Sequence, residues 1–96
     1  MTEYQVTYWR ELPSLVAARD GDEMIKSPLA PRFQEAIDEA AMRLGDVGSD
    51  DYLAGWRRGE WTPEEGDATQ VLASVVSALE EKWPPAAVTD YLDRLG

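Results

Sequence analysis

Alternating apolar and polar positions at the start of the chain predict β-strands. Within Tyr4–Trp9, aromatic and β-branched residues favour a strand of about seven residues, whose successive side chains point to opposite faces. Glu11–Ser14 is predicted to be a turn, because proline presets one backbone dihedral angle and removes a hydrogen-bond donor. A second strand is predicted at Leu15–Arg19 and ends at Asp20-Gly21. The two strands are expected to form an antiparallel hairpin.

A helix is predicted from the region of Pro28 and Pro31 to Gly45. Proline is tolerated in the first helical turn, and glycine is a common residue after the last one. Apolar residues recur here at spacings of three and four, which places them on one stripe of the helix. The stripe consists of Leu29, Phe33, Ile37, Ala40, Ala41 and Leu44.

Two further helices are predicted in the second half of the chain. The first covers Ala68–Trp83, with Asp67 as its N-cap and Gln70 three residues later, and Pro84-Pro85 ends it. Its apolar face consists of Val71, Leu72, Val75, Val76 and Leu79. The second is short and covers Ala86–Leu95, with Val88, Leu92 and Leu95 on one side.

The segment between the helices is predicted to contain a third strand. Tyr52–Trp61 combines aromatic residues with partial alternation, although its glycines weaken the pattern. Thr62–Glu65 has the form of a capping box, which predicts one helical turn. We therefore expect a single α+β domain over residues 1–96, in which a hairpin and a third strand form a small antiparallel sheet covered by two or three helices.

The amino-acid composition excludes several classes of function. The chain has no histidine and no cysteine, which removes the usual general base and the usual zinc ligands. We therefore predict a protein that is not an enzyme, with no catalytic residues, no metal site and no cofactor. Lys and Arg total 9 against 19 Asp and Glu, for a net charge of −10, which disfavours binding to nucleic acids and to anionic membranes. The absence of a long apolar run and of a signal-peptide pattern predicts a cytoplasmic protein.

Two tryptophans directly precede arginine, and arginine is scarce in this acidic chain. The pairs are Trp9-Arg10 and Trp56-Arg57-Arg58, and Trp61 follows shortly after. Because Trp and Arg are enriched at the energetic centres of interfaces, we predict a partner-binding patch on the outside of the sheet. It consists of Trp9, Arg10, Trp56, Arg57, Arg58 and Trp61. Alternatively, the tryptophans fill the core and the arginines pair with nearby carboxylates.

Three blocks of the sequence resemble a known family. These are Tyr4–Arg10 leading into Leu12-Pro13, then Leu29–Met42, then Tyr52–Trp56. Together they are similar to the small bacterial domain family labelled virulence factor, and to a domain of conserved virulence factor C. The resemblance covers roughly residues 3 to 95 and includes no catalytic motif. It implies an accessory subunit in corrinoid- or folate-linked methyl transfer, and the chain lacks the histidine motif of a cobalamin carrier.

The function expected from the sequence is therefore a non-enzymatic interaction module that docks on a larger protein, as a monomer or a homodimer. Arg32 is a further candidate for the patch. The alternative is a small-molecule anion binder or minor enzyme, in which Arg10, Arg57 or Arg58 holds an anion and a carboxylate acts as the base. That alternative predicts a concave pocket beside those arginines.

Overall fold

Nine elements form the fold in a computed structural model that describes residues 1–45 and 50–95. The five strands are β1 (Thr2–Trp9), β2 (Leu12–Asp20), β3 (Glu23–Pro28), β4 (Trp56–Arg58) and β5 (Thr62–Glu64). The four helices are α1 (Pro31–Leu44), α2 (Asp50–Ala54), α3 (Ala68–Lys82) and α4 (Pro85–Arg94). The predicted α+β class is confirmed, with a larger sheet than the sequence suggested.

All strands pair antiparallel in one sheet, in which β1 and β2 are central. The order is β3-β2-β1-β4. The fifth strand, β5, pairs with the same edge of β1 as β4 does, but β4 lies along residues 7–9 and β5 along residues 2–4. Tyr4 lies opposite Ala18 and Val6 opposite Val16. The β1–β2 register shifts between Thr7 and Tyr8. The two short strands therefore share one side of β1, and β3 forms the other edge of the sheet.

The predicted turn at Glu11–Ser14 is wrong, because the chain turns two residues earlier. Arg10 adopts a left-handed conformation with a φ of 53°, and Pro13 lies within β2 and is buried. The register shift between β1 and β2 lies next to Pro13, so the strand continues through the proline. The Ser14 carbonyl accepts a hydrogen bond from Leu29 N–H at 3.2 Å. A bulge of this kind admits a residue that cannot donate to the ladder.

The middle of the chain departs furthest from its predicted structure. Residues 50–54 form α2, so only Trp56–Arg58 of the predicted third strand is extended. The predicted helical turn at Thr62–Glu65 is instead β5, since Pro63 lies opposite Glu3 on the first strand. The sequence analysis missed β3, whose only half-buried apolar residue is Ile25. For β3 and β5, pairing with neighbouring strands outweighed weak local preferences.

The three longer helices are confirmed, with ends close to those predicted. Gly45 takes a φ of 74° after α1 and donates to the carbonyls of Ala41 and Met42. Asp67 and Gln70 form the expected capping box at the start of α3. Within the described ranges, no helix is both long and apolar enough to cross a lipid bilayer.

The helices cover one face of the sheet, which we call the inner face. Tyr4, Val6 and Val16 on this face pack against Phe33 of α1 and the apolar side of α3. Ala18 continues the contact toward the start of α3. The opposite face, which we call the outer face, carries residues that belong to none of the buried clusters found in the described residues. Its members include Glu3, Gln5, Thr7, Leu15, Ala17, Arg19, Met24, Lys26 and Arg58.

Trp9 joins the hairpin to the helices and to the α2–β4 connection. Its side chain is 0% exposed, and its indole N–H donates to the Tyr52 carbonyl at 2.8 Å. Gly55 lies against the ring, and its carbonyl accepts a hydrogen bond from Arg10 N–H at 2.8 Å. A Cβ atom at Gly55 would lie 2.6 Å from Trp9 Nε1 and 2.8 Å from Cε2.

We expect Gly55→Ala to destabilise the protein by about 1–3 kcal/mol, because the added methyl group forces the buried ring or its neighbours to move. Chemical denaturation followed by circular dichroism measures the change. Gly59→Ala is the matched control, since a Cβ atom there meets Val6 O only at 3.4 Å. Equal stability of the two variants would contradict the close approach at Trp9.

Candidate docking surface

The six residues predicted to form one patch lie in three separate places. Trp9 is in the core, packed with Leu12 and Ile37, so the expectation that it lies on the outside of the sheet is wrong. The register shift near the end of the hairpin breaks the regular alternation, and both Tyr8 and Trp9 pack toward the helices. Bulges commonly redirect side chains in this way.

Trp56 lies at the edge of the same core. It is half-buried opposite Trp9, and its ring meets the Tyr52 ring edge-on at a centroid distance of 6.1 Å. Tyr52 in turn tilts against the Trp9 ring at 5.8 Å. The alternative prediction, in which tryptophans fill the core, is therefore correct for Trp9. It is correct in part for Trp56, which is half-buried.

Arg10 and Arg57 meet at the open end of β1. The Arg57 Nε–H donates to the Arg10 carbonyl at 3.3 Å, and its guanidinium lies 4.5 Å from the centre of the Tyr8 ring. The Arg10 guanidinium lies 5.2 Å from the centre of the Trp9 ring. Both side chains are exposed. These arginines lie over aromatic rings at the rim of the core, where cation–π attraction stabilises them.

Arg58 and Trp61 lie on the outer face, away from the other predicted residues. Arg58 is exposed opposite Thr7, and Trp61 is half-buried just before β5. The Arg19 guanidinium is 3.9 Å from the centre of the Trp61 ring. Arg19 also donates from Nε and Nη2 to Glu3 Oε1, at 3.3 and 3.2 Å. The indole ring is thus held by a guanidinium that a carboxylate orients.

Sequence analysis missed the other cationic residues of the outer face, Arg19 and Lys26. Alternation along β2 places Arg19 on the same face as Ala17, which could have been inferred from the strand pattern alone. Lys26 lies opposite Ala17 on β3, a strand that the sequence did not predict. The candidate Arg32 instead stabilises the fold, because it donates to the Glu80 and Trp83 carbonyls at the end of α3.

A cavity of about 390 Å³ opens on the helix layer, beside the hairpin turn. It is lined by Glu11, Trp83, Tyr91, Arg94 and Leu95. The Tyr91 hydroxyl donates to Glu11 Oε2 at 2.5 Å, and its ring meets the Trp83 ring edge-on at 5.6 Å. Burial, followed by the hydrogen bond to the Glu11 carboxylate, raises the pKa of Tyr91 from 10.0 to about 12. The hydroxyl is therefore a proton donor at neutral pH and not a base.

The contribution of Tyr91 to folding stability is expected to fall at alkaline pH. Its pKa is higher in the folded chain than in the unfolded one, so its contribution to stability is complete below pH 10 and is lost as the pH rises toward 12. We expect Tyr91→Phe to cost about 1 kcal/mol at pH 8, since a hydrogen bond to a carboxylate is lost. The difference from wild type should shrink between pH 10 and 12.

Urea denaturation at pH 8, 10 and 11 measures this difference. Tyr52→Phe is the control, because the Tyr52 hydroxyl makes no hydrogen bond to the described residues. A Tyr91→Phe penalty that stays constant up to pH 11 would contradict the raised pKa.

The comparisons with known proteins identify the family but not a biochemical role. Across the described residues, no group of three or more His, Cys, Asp or Glu could hold a metal ion. No curated protein and no solved structure matches the chain. The family model described as virulence factor matches residues 7–91, which confirms the resemblance inferred from the sequence blocks. The chain therefore belongs to the virulence factor domain family.

Proposed function

We propose that this domain is a non-enzymatic interaction module that acts in the bacterial cytoplasm and docks on a larger protein through its outer face. The observation that carries the proposal is the one-sided sheet. Helices cover the inner face, whereas the outer face combines a half-buried tryptophan with exposed cationic side chains. A two-layer domain that leaves such a face open has a surface suited to a partner.

The arrangement around Trp61 supports a contact role for this ring. Trp and Arg are the residue types most often found at the energetic centres of interfaces. Arg19 stacks on the indole and is itself held by Glu3, so both side chains are ordered before any partner arrives. Ordering in advance lowers the entropy cost of binding.

The area of the outer face bears on the strength of the complex. Four neighbouring strands are about 15 Å wide, and the face extends over roughly the same length along β1, which gives a few hundred Å². A standard stable interface needs about 800 Å² from each partner. The docking is therefore expected to be transient, or to include the rim near Arg10 and Arg57.

The family resemblance adds a partner class to the proposal. An accessory subunit in corrinoid- or folate-linked methyl transfer would dock on a larger methyl-transfer protein. Because the chain has no histidine, it would assist that protein without ligating cobalt itself. Mass spectrometry of proteins that co-purify with the domain tests this identification.

A small-molecule role is the second candidate, and the cavity beside Tyr91 and Trp83 is the observation that favours it. The form expected from the sequence has less support. Arg10, Arg57 and Arg58 do not line this cavity, nor three further ones whose walls are made of described residues. A thermal-shift screen with folates, cobalamins and phosphorylated metabolites separates the two roles, because a ligand that binds only the folded state raises Tm.

We expect Thr7→Tyr to abolish partner capture without unfolding the domain. Thr7 is half-buried on the outer face, so a ring there blocks docking, while tyrosine is well tolerated in a strand. The tagged domain is purified from the organism that encodes it, and the proteins that accompany it in stoichiometric amount are compared among variants. Ser77→Tyr, on the exposed side of α3, is the matched control and should retain the partner.

Circular dichroism confirms that both variants fold. A Thr7→Tyr domain that keeps every stoichiometric partner would refute docking through the outer face. A wild-type domain that captures none would do the same.

A further inference from the structure

The charge of the outer face is opposite to that of the whole chain. Asp and Glu outnumber Lys and Arg by 19 to 9 in the sequence. On the outer face, three cationic residues (Arg19, Lys26 and Arg58) accompany one carboxylate, Glu3. Among the described strand residues that pair in the sheet, the outer face thus carries more cationic than acidic side chains.

Two of these cations form no ion pair with a described residue. Arg19 is paired with Glu3 at 3.2 Å. Lys26 and Arg58 are exposed, and neither forms an ion pair with any residue in the described part of the chain. An anionic partner would therefore not have to displace an ion pair with the described residues.

The distance between these cations selects for an extended partner. Lys26 lies opposite Ala17, and Arg58 lies opposite Thr7, with three strand spacings and two residues of offset between them. Their Cβ atoms are therefore about 16 Å apart. Side chains stand roughly perpendicular to a sheet, so one carboxylate or phosphate group cannot contact both. An α-helix covers that distance in about 11 residues.

The surface between Lys26 and Arg58 is formed by uncharged and partly apolar side chains. Leu15 is half-buried there and Ala17 is buried, and the Gln5 amide donates to the Gly59 carbonyl at 2.9 Å. Trp61 borders this surface under Arg19. A helix is about 10 Å in diameter and is the element that commonly covers a sheet face.

We propose that the outer face binds an acidic amphipathic helix of a partner protein. Its apolar stripe contacts Leu15 and Trp61, and carboxylates about 16 Å apart along it pair with Lys26 and Arg58. This inference rests on the proposed docking function and specifies the chemistry of the partner.

Two other occupants fit the charges less well. A second copy that docked face to face would bring two cationic faces together, and symmetric contacts between like charges are unfavourable. A nucleic acid carries far more negative charge than a helix with a few carboxylates, so long-range repulsion by a chain of net charge −10 opposes its binding more strongly.

The test uses three synthetic amphipathic helices of about 18 residues, which is roughly 27 Å of helix. All share one Leu and Ala stripe, and their flanking positions carry Glu, Gln or Lys. We expect the Glu peptide to bind the ¹⁵N-labelled domain about tenfold more tightly than the Gln peptide, with amide shifts at Gln5, Ala17 and Lys26. The double variant Lys26→Glu/Arg58→Glu should lose this preference and bind the Lys peptide instead.

Lys82→Glu is the control for each of the two substitutions taken singly, because it makes the same charge change on the helix layer and should leave the preference intact. Equal affinity for all three peptides, or shifts confined to the helix layer, would overturn the inference. So would competition by a single-stranded oligonucleotide, or concentration-dependent dimerisation that masks the outer face.

Failure of this inference can be told from failure of the proposed function. If Thr7→Tyr loses its cellular partner while Lys26→Glu/Arg58→Glu keeps it, the outer face is used but an acidic helix does not occupy it. If both variants keep the partner, docking through the outer face is itself wrong.

Discussion

The fold depends on the complete burial of one indole ring at the junction of the sheet and its helices. Trp9 packs against α1, and its N–H satisfies the Tyr52 carbonyl of α2. Gly55 allows the backbone to pass directly beside the ring. Because a buried N–H needs a hydrogen-bond partner, the position of this ring also determines where the α2–β4 connection lies.

That use of Trp9 decides which residues remain available at the surface. The Trp9 ring is buried in the core, and the half-buried Trp56 ring packs against that core. Arg10 and Arg57 lie over aromatic rings at the rim of the core. Trp61 alone of the predicted tryptophans lies on the outer face, where Arg19 holds it. The surface that we propose for docking is thus assembled mainly from residues outside the predicted patch.

Elements with a strong local pattern were predicted correctly from the sequence, and elements without one were not. The capping box at Asp67 and the glycine at position 45 identified helix ends, because both act through nearby backbone groups. No local pattern marked β3 or β5, which exist because β2 and β1 offer them hydrogen-bonding edges. Trp9 was misplaced for a similar reason, since the register shift that redirects it depends on how β1 pairs with β2.

The sequence by itself determined the α+β class, the three long helices, the net charge of −10 and the family. Periodicity and capping are properties of short segments, and composition is a property of the chain as a whole. All three can therefore be determined without knowledge of the fold. Only the tertiary structure decided which side of each strand met the helices and which stayed open. That choice grouped Arg19, Lys26 and Arg58, which lie on three different strands, into one cationic face. Strand pairing between distant segments brings such residues together, and no pattern within a single segment encodes it.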